Sequence, residues 1–235
     1  MTRKLVGFAA ALAIGLLISG IVTGCNGTDS SGSADRSAEP DVSASPVGPV
    51  VKPPVEPPPP PPPADACQEI VYVIDKSGSM FDKFAYVQYE LKEAIAGLES
   101  TDQFHVIFFT DRAFELSING EVRLHEATTA AKSAAADWID RQVGGSASGI
   151  TDPREALERA FKVAGGPPDV IVFLTDGLFP AGTEQTIRRL NPGRKVRIDT
   201  IALVNRDSED QLKRIAVDNG GKYMFISESE LKQDH

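Results

Sequence analysis

The chain is short of the residues on which most enzyme chemistry depends. It has three histidines, His105, His125 and His235, and only two cysteines, Cys25 and Cys67. It contains no P-loop and no Gly-x-Ser-x-Gly elbow, so nucleotide cradling of that type and nucleophilic serine hydrolysis have no sequence support. No internal repeat is visible. A basic face is also missing, because 33 acidic residues outnumber 24 lysines and arginines for a net charge of −9. Nucleic-acid binding needs such a face, so nucleic acid is excluded as a partner. Removing residues 1–24 would take away Arg3 and Lys4 and leave the chain two charges more acidic still. Electrostatic adhesion to anionic lipid is therefore also excluded.

What is present begins with a leader. Arg3 and Lys4 precede an apolar run from Leu5 to Val22, the layout of a signal peptide over 1–24. Its exit, Val22-Thr23-Gly24-Cys25, resembles a bacterial lipobox, which implies an acylated Cys25 at the mature N-terminus. Two alternatives are an uncleaved transmembrane anchor and a signal cleaved without lipid. All three export the remainder to the cell envelope. With lipid at Cys25 the chain is membrane-anchored, and Asn26 favours an outer membrane where the cell has one. Cys67 is then left without an intrachain partner, and burial as a small apolar residue is its expected fate. Residues 25–66 show no apolar periodicity and read as a disordered Ser/Gly/Pro-rich linker. Its unbroken run Pro57–Pro63 would form a polyproline II rod of about 20 Å, a spacer that holds a folded domain clear of the bilayer.

Residues 67–235 are long enough for one domain with a core. Apolar runs alternate with helical patterns, which predicts an α/β fold, a mainly parallel six-stranded sheet flanked by helices. Strands are expected at Ile70–Ile74, His105–Phe109, Val122–Leu124, Val170–Leu174, Val196–Ala202 and Tyr223–Ile226. Phe84, Val87, Leu91, Ile95 and Leu98 form one helical stripe, with Lys83 falling off it. An alanine-rich helix is expected from Thr128 to Arg141, another after Pro153, and a last one that ends at Gly220-Gly221.

Chemistry concentrates where these strands end. Ile70–Ile74 runs directly into Asp75-Lys76-Ser77-Gly78-Ser79, one carboxylate and two hydroxyls on alternate residues. Hard oxygen donors suit a small dication such as Mg²⁺. The loop 144–151 delivers Thr151 just before a helix, and Val170–Leu174 ends in Thr175-Asp176-Gly177. Three loops thus bring oxygen donors to the sheet end where α/β folds place their sites. Any one of these serines or aspartates can instead cap a helix. Thr175 and Asp82 read as structural neighbours, and Lys76 as a solvated charge at the rim.

On these residues the chain resembles the von Willebrand factor type A domain family, from about Cys67 to the C-terminus. The match lies in Asp75, Ser77 and Ser79 in the first loop, Thr151 in the second and Asp176 in the third. The resemblance implies a Rossmann-like, doubly wound sheet and a metal-ion-dependent adhesion site (MIDAS). It implies that the serines and Thr151 contact Mg²⁺ (or Mn²⁺), and that Asp75 and Asp176 act directly or through water. One position would remain for an exposed Asp or Glu of a protein partner. The second loop departs from the commoner Gly-Gly-Thr form, since Ile150 precedes Thr151 and Ser146 and Ser148 are rival hydroxyls.

The reading that follows is an envelope-tethered, metal-dependent protein-binding module and not an enzyme. Its alternative is a metal-dependent hydrolase built on the same carboxylates. The histidines speak against that alternative, because none lies in the three loops. His105 is expected in the core, and His125 at an exposed strand end. Phe81 and Phe179 follow metal loops and are either exposed anchors or packing residues beneath them.

Overall fold

The structure, a computed structural model, describes residues 67–144, 151–164 and 166–231. The expected leader, Cys25, the linker and the rival hydroxyls Ser146 and Ser148 lie outside the described residues.

Four strands are near-continuous apolar runs, buried at every position after the first or throughout: β1 (Glu69–Asp75), β2 (Gln103–Phe109), β5 (Val170–Thr175) and β6 (Arg197–Leu203). A parallel sheet covered by helices on both faces requires this composition. Three shorter strands complete it: β3 (Ala113–Glu115), β4 (His125–Glu126) and β7 (Tyr223–Ile226). The order is β3-β2-β1-β5-β6-β7, with β4 also paired to β2. β1 runs parallel to both β2 and β5, β5 to β6, and β6 to β7. β3 and β4 run antiparallel to β2. The chain therefore winds outward from β1 to one side and resumes on the other at β5. The carboxyl ends of β1 and β5 flank the point where the winding reverses, the place where open α/β sheets bind their ligands.

Among the described residues, six helices cover the sheet: α1 (Phe84–Ala96), α2 (Thr129–Asp140), α3 (Arg154–Ala160), α4 (Gly182–Leu190), α5 (Glu209–Asp218) and α6 (Glu228–Leu231). Alternation along β1 divides the core in two. Ile70, Tyr72 and Ile74 face α1 and α2, while Val71 and Val73 face α3, α4 and α5. The stripe Phe84, Val87, Leu91, Ile95 and Leu98 is buried as its spacing predicts. On the alanine-rich α2, Ala135 is fully buried and Trp138 stacks on Phe108 at 5.4 Å between centroids. Small side chains let this helix approach closely enough for that contact. Thr128 caps α2 by accepting from the Ala131 N–H. At the end of α5 the chain turns through Gly220 at φ +67° and Gly221. A Cβ on Gly221 would lie 1.9 Å from the Ile198 carbonyl oxygen, so the backbone of β6 leaves room only for glycine there.

The doubly wound, mainly parallel sheet is as expected, but among the described residues it has seven strands, not six. Val122–Leu124 is not a strand. Asn119 and Gly120 both adopt positive φ and form a tight turn bridged by Ile118 and Glu121, and pairing to β2 is delayed to His125–Glu126. β3 and α6 are too short to carry apolar patterning, and α4 is amphipathic but buries only one large apolar residue, Ile187, so no apolar stripe marks it. Cys67 is exposed, not buried, because β1 begins two residues later and no element covers it. His125 is buried, not exposed, because its pairing with Phe104 draws it onto the sheet.

Candidate metal centre

Asp75 is the last residue of β1 and has no solvent exposure. The ladder continues one step beyond it, where the Lys76 N–H donates to the Phe109 carbonyl. Each carboxylate oxygen is then fixed separately. Oδ1 accepts the Ser77 N–H at 2.8 Å, which bends the chain away from the sheet. Oδ2 accepts the Thr175 hydroxyl at 2.6 Å, which ties β1 to the end of β5. Ser77 and the single 3₁₀ turn Gly78–Met80 follow, with Met80 buried beneath as a plug. Ser77 Oγ lies 3.2 Å from Ser79 Oγ, and Ser79 Oγ donates to Asp176 Oδ1 at 2.7 Å. Residues about a hundred apart in sequence are thus joined in one chain of oxygens.

These spacings can be set against what a dication requires. Oxygens held 2.0–2.1 Å from one Mg²⁺ at right angles lie about 2.9 Å apart. The two contacts, 3.2 and 2.7 Å, lie on either side of that edge length. The donor set consists of hard oxygens only, so it fits. Among the described residues no cluster of three His, Cys, Asp or Glu side chains offers another metal site.

Thr151 stands just before α3, at the edge where that helix begins. The Asp152 N–H donates to the Thr110 carbonyl at 2.8 Å, which pins the start of α3 to the end of β2 beside Asp75. Thr151 is half-buried at this edge. Gly144, at the end of the preceding described segment, lies so close to α1 that a Cβ would sit 2.5 Å from Phe84 Cβ.

Electrostatics at the centre are those of buried anions. Burial pushes the Asp75 carboxyl up to about 6, against the hydrogen bonds from Thr175 and Ser77 that favour its charge. Asp176 has a direct cation partner, since Lys83 Nζ lies 2.9 Å from its Oδ2 and 2.6 Å from the Ser79 carbonyl. Burial is the strongest single influence on the Lys83 ammonium and works to lower it, but the bond and charge of Asp176 and the charge of Asp82 together outweigh it, so the group titrates above its usual value.

Lys83 is the residue that the sequence pattern missed. Helical spacing placed it on the polar side of α1, with no hint of Asp176. The available signal was a lysine where a helix normally begins with Ser, Thr, Asp or Asn. Lys76 also differs from expectation. It is buried, with Nζ 3.7 Å over the Phe114 ring and 3.3 Å from Gln142 Oε1, and burial lowers its pKa. The short β3, invisible in the sequence, supplies that ring. Thr175 and Asp82 are neighbours as expected. Phe81 is 74% exposed and Leu178 66% exposed, while Phe179 packs edge-on to Phe173 beneath the loop. His105 is fully buried, with Nε2 3.6 Å from Glu115.

The von Willebrand factor type A domain family profile matches residues 69–234. Among solved structures, the fold is similar to a von Willebrand factor type A protein from Catenulispora acidiphila, at 24% identity and a TM-score of 0.61. That likeness covers 72% of this chain but only 41% of the other. An aerotolerance-related membrane protein from Bacteroides fragilis is similar at 17% identity and a TM-score of 0.55, over 71% of this chain and 94% of that one. Proximal thread matrix protein 1 from the mussel byssus, described with a zinc-occupied MIDAS motif, is similar at 20% identity and a TM-score of 0.55, over 71% and 46% of the two chains. No curated protein matches the chain.

Proposed function

Because the chain belongs to the von Willebrand factor type A domain family, matched over most of its length, we propose that it is an envelope-tethered, divalent-metal-dependent protein-binding module. Asp75, Ser77, Ser79, Thr151 and Asp176 would hold one Mg²⁺ or Mn²⁺ at the carboxyl ends of β1 and β5. The ion would supply an electrophilic centre for an outside carboxylate, the exposed Asp or Glu of a protein partner. The observation that carries this reading is the run of oxygens from Ser77 through Ser79 to Asp176 at 3.2 and 2.7 Å, which gathers hard donors from two separate strand ends at one point. Three of the five donors are neutral hydroxyls, so the anionic charge of the chain leaves room for a third carboxylate. Phe81 and Leu178 flank the loops and offer apolar contact around that charged point.

Tethering follows from the leader. In this reading residues 1–24 are removed, Cys25 carries lipid, and residues 25–66 give the domain reach from the membrane. A binding role suits the site better than hydrolysis. His105 and His125 are buried in the sheet, where neither can serve as a proton shuttle to the metal loops. The zinc in the byssus protein's motif supports a dication at such sites; the preference for magnesium or manganese rests on the oxygen-only donors.

Calorimetric titration with Mg²⁺ and Mn²⁺ tests the centre. One site is expected in the wild type and none in Asp75→Ala, with the fold of the variant checked by circular dichroism. A wild type that takes up neither ion refutes the reading. Pull-downs from envelope extract, run in parallel with Mg²⁺ and with chelator, should recover a partner only with metal.

A further inference from the structure

We propose that Lys83 sets the charge balance of the metal centre: its ammonium is a resident countercharge on Asp176 that weakens dication binding and leaves the loaded site net positive toward an incoming carboxylate. The inference rests on the metal-binding reading given above.

The first observation is that Lys83 is badly placed for its helix. It is the N-cap of α1, makes no side-chain cap, and no acidic residue follows in the first turn. A helix N-terminus carries partial positive charge and unsatisfied N–H groups, so a lysine there is unfavourable on both counts. Such breaches of local rules tend to occur at functional sites. The second observation is what holds the lysine. Nζ lies 2.9 Å from Asp176 Oδ2 and 2.6 Å from the Ser79 carbonyl, both inside the metal loops. The pair is shielded, with side chains 17% and 2% exposed, whereas the second carboxylate near Nζ, Asp82 at 3.4 Å, is 77% exposed and contributes little.

The charge count gives two consequences of opposite sign. Asp75 and Asp176 supply two negative charges and Lys83 one positive, while the hydroxyls of Ser77, Ser79 and Thr151 supply none. With a dication the centre carries a single positive charge, where a chain lacking the Lys83 charge would be neutral. The ammonium therefore repels the ion it neighbours, and it strengthens the pull of the loaded site on an acid. Lysine at this position trades metal affinity for acid affinity.

The test uses the purified full-length chain as wild type, Lys83→Met, Lys83→Arg and Asp75→Ala. Met keeps the length of the side chain without its charge, and Arg keeps the charge. Calorimetry with Mn²⁺ alone should show Lys83→Met binding about tenfold tighter than wild type. Lys83→Arg should stay close to wild type, and Asp75→Ala should bind nothing. Acetate then serves as the carboxylate probe, read by water-proton relaxation of bound Mn²⁺ as acetate displaces water. Lys83→Met should need more acetate than wild type for the same loss of relaxation. Melting in chelator verifies that each variant is folded. Equal or weaker Mn²⁺ binding by Lys83→Met overturns the proposal, as does an unchanged acetate response. In either case a difference between wild type and Asp75→Ala leaves the metal reading standing. Absence of Mn²⁺ binding in the wild type overturns both.

Discussion

Replacing Asp75 with asparagine should make the metal-free domain more stable, not less. Asp75 has no solvent exposure, and burial lifts its pKa from 3.8 to about 6. Between those values the folded state keeps the proton and the unfolded chain has released it. Stability of the metal-free fold therefore falls as pH rises through that window, and the loss persists above it. A displacement of about two units corresponds to roughly 3 kcal/mol at neutral pH. Asparagine avoids the buried charge and retains the geometry. Its Oδ1 can still accept the Ser77 N–H, and its amide can donate to the Thr175 hydroxyl oxygen. Some charge-assisted bonding is lost, so the expected gain is about 1–3 kcal/mol. For a domain of this size that is a rise in Tm of about 3–10 °C.

Urea denaturation in chelator is the assay, with wild type and Asp75→Asn compared from pH 4 to 7.5. The gap between them should be near zero at pH 4 and fully open above pH 6. Adding Mg²⁺ should reverse the ranking. Wild type gains about 4.1 kcal/mol at a thousandfold excess over Kd, and Asp75→Asn gains nothing. An asparagine variant less stable than wild type in chelator at pH 7.5, or a gap that does not depend on pH, would refute the argument that the carboxylate is held at the expense of the fold.

Three other outcomes are expected. Gly221→Ala should lower stability by about 3 kcal/mol or more, because its Cβ meets the Ile198 carbonyl at 1.9 Å; a loss under about 1 kcal/mol in a urea melt would show that the backbone yields freely. Phe81→Ser should leave stability within about 0.5 kcal/mol, since the ring is 74% exposed, yet weaken metal-dependent partner capture in a pull-down; undiminished capture would remove Phe81 from the binding surface. Cys67 should react with a thiol reagent in the folded protein, but more slowly at pH 7.5 than free cysteine, because partial burial and then Asp102, Glu69 and Asp169 raise its pKa. A thiol that reacts only after unfolding would contradict its exposure.

The legible parts of the fold share a physical feature. β1, β2, β5 and β6 are covered on both faces, so hydrophobic burial writes each as an unbroken run. Edge elements have no such requirement. β3 is half-buried throughout and β4 is two residues long, so neither stands out from a loop. The Asn119-Gly120 turn was in plain view and, read as a hairpin signal, would have displaced the strand expected at Val122–Leu124. That Asp75, Ser77, Ser79 and Asp176 meet was legible because the first three follow β1 and the last follows β5, where local order and chain direction are tied together.

The amino-acid order alone determined which oxygens stand at the strand ends, since a strand end, a glycine turn and a following hydroxyl are matters of a few consecutive residues. It also determined the winding, through the alternation of covered strands and helices. The partners of those oxygens were decided only in three dimensions. Thr175 clamps Asp75 across two strands, Lys83 meets Asp176 from another element, and Lys76 turns inward over Phe114. Each of these contacts joins groups brought together by sheet order and helix docking. Charge balance at the centre depends on such encounters, because Coulomb interactions follow distance in space and take no account of separation along the chain.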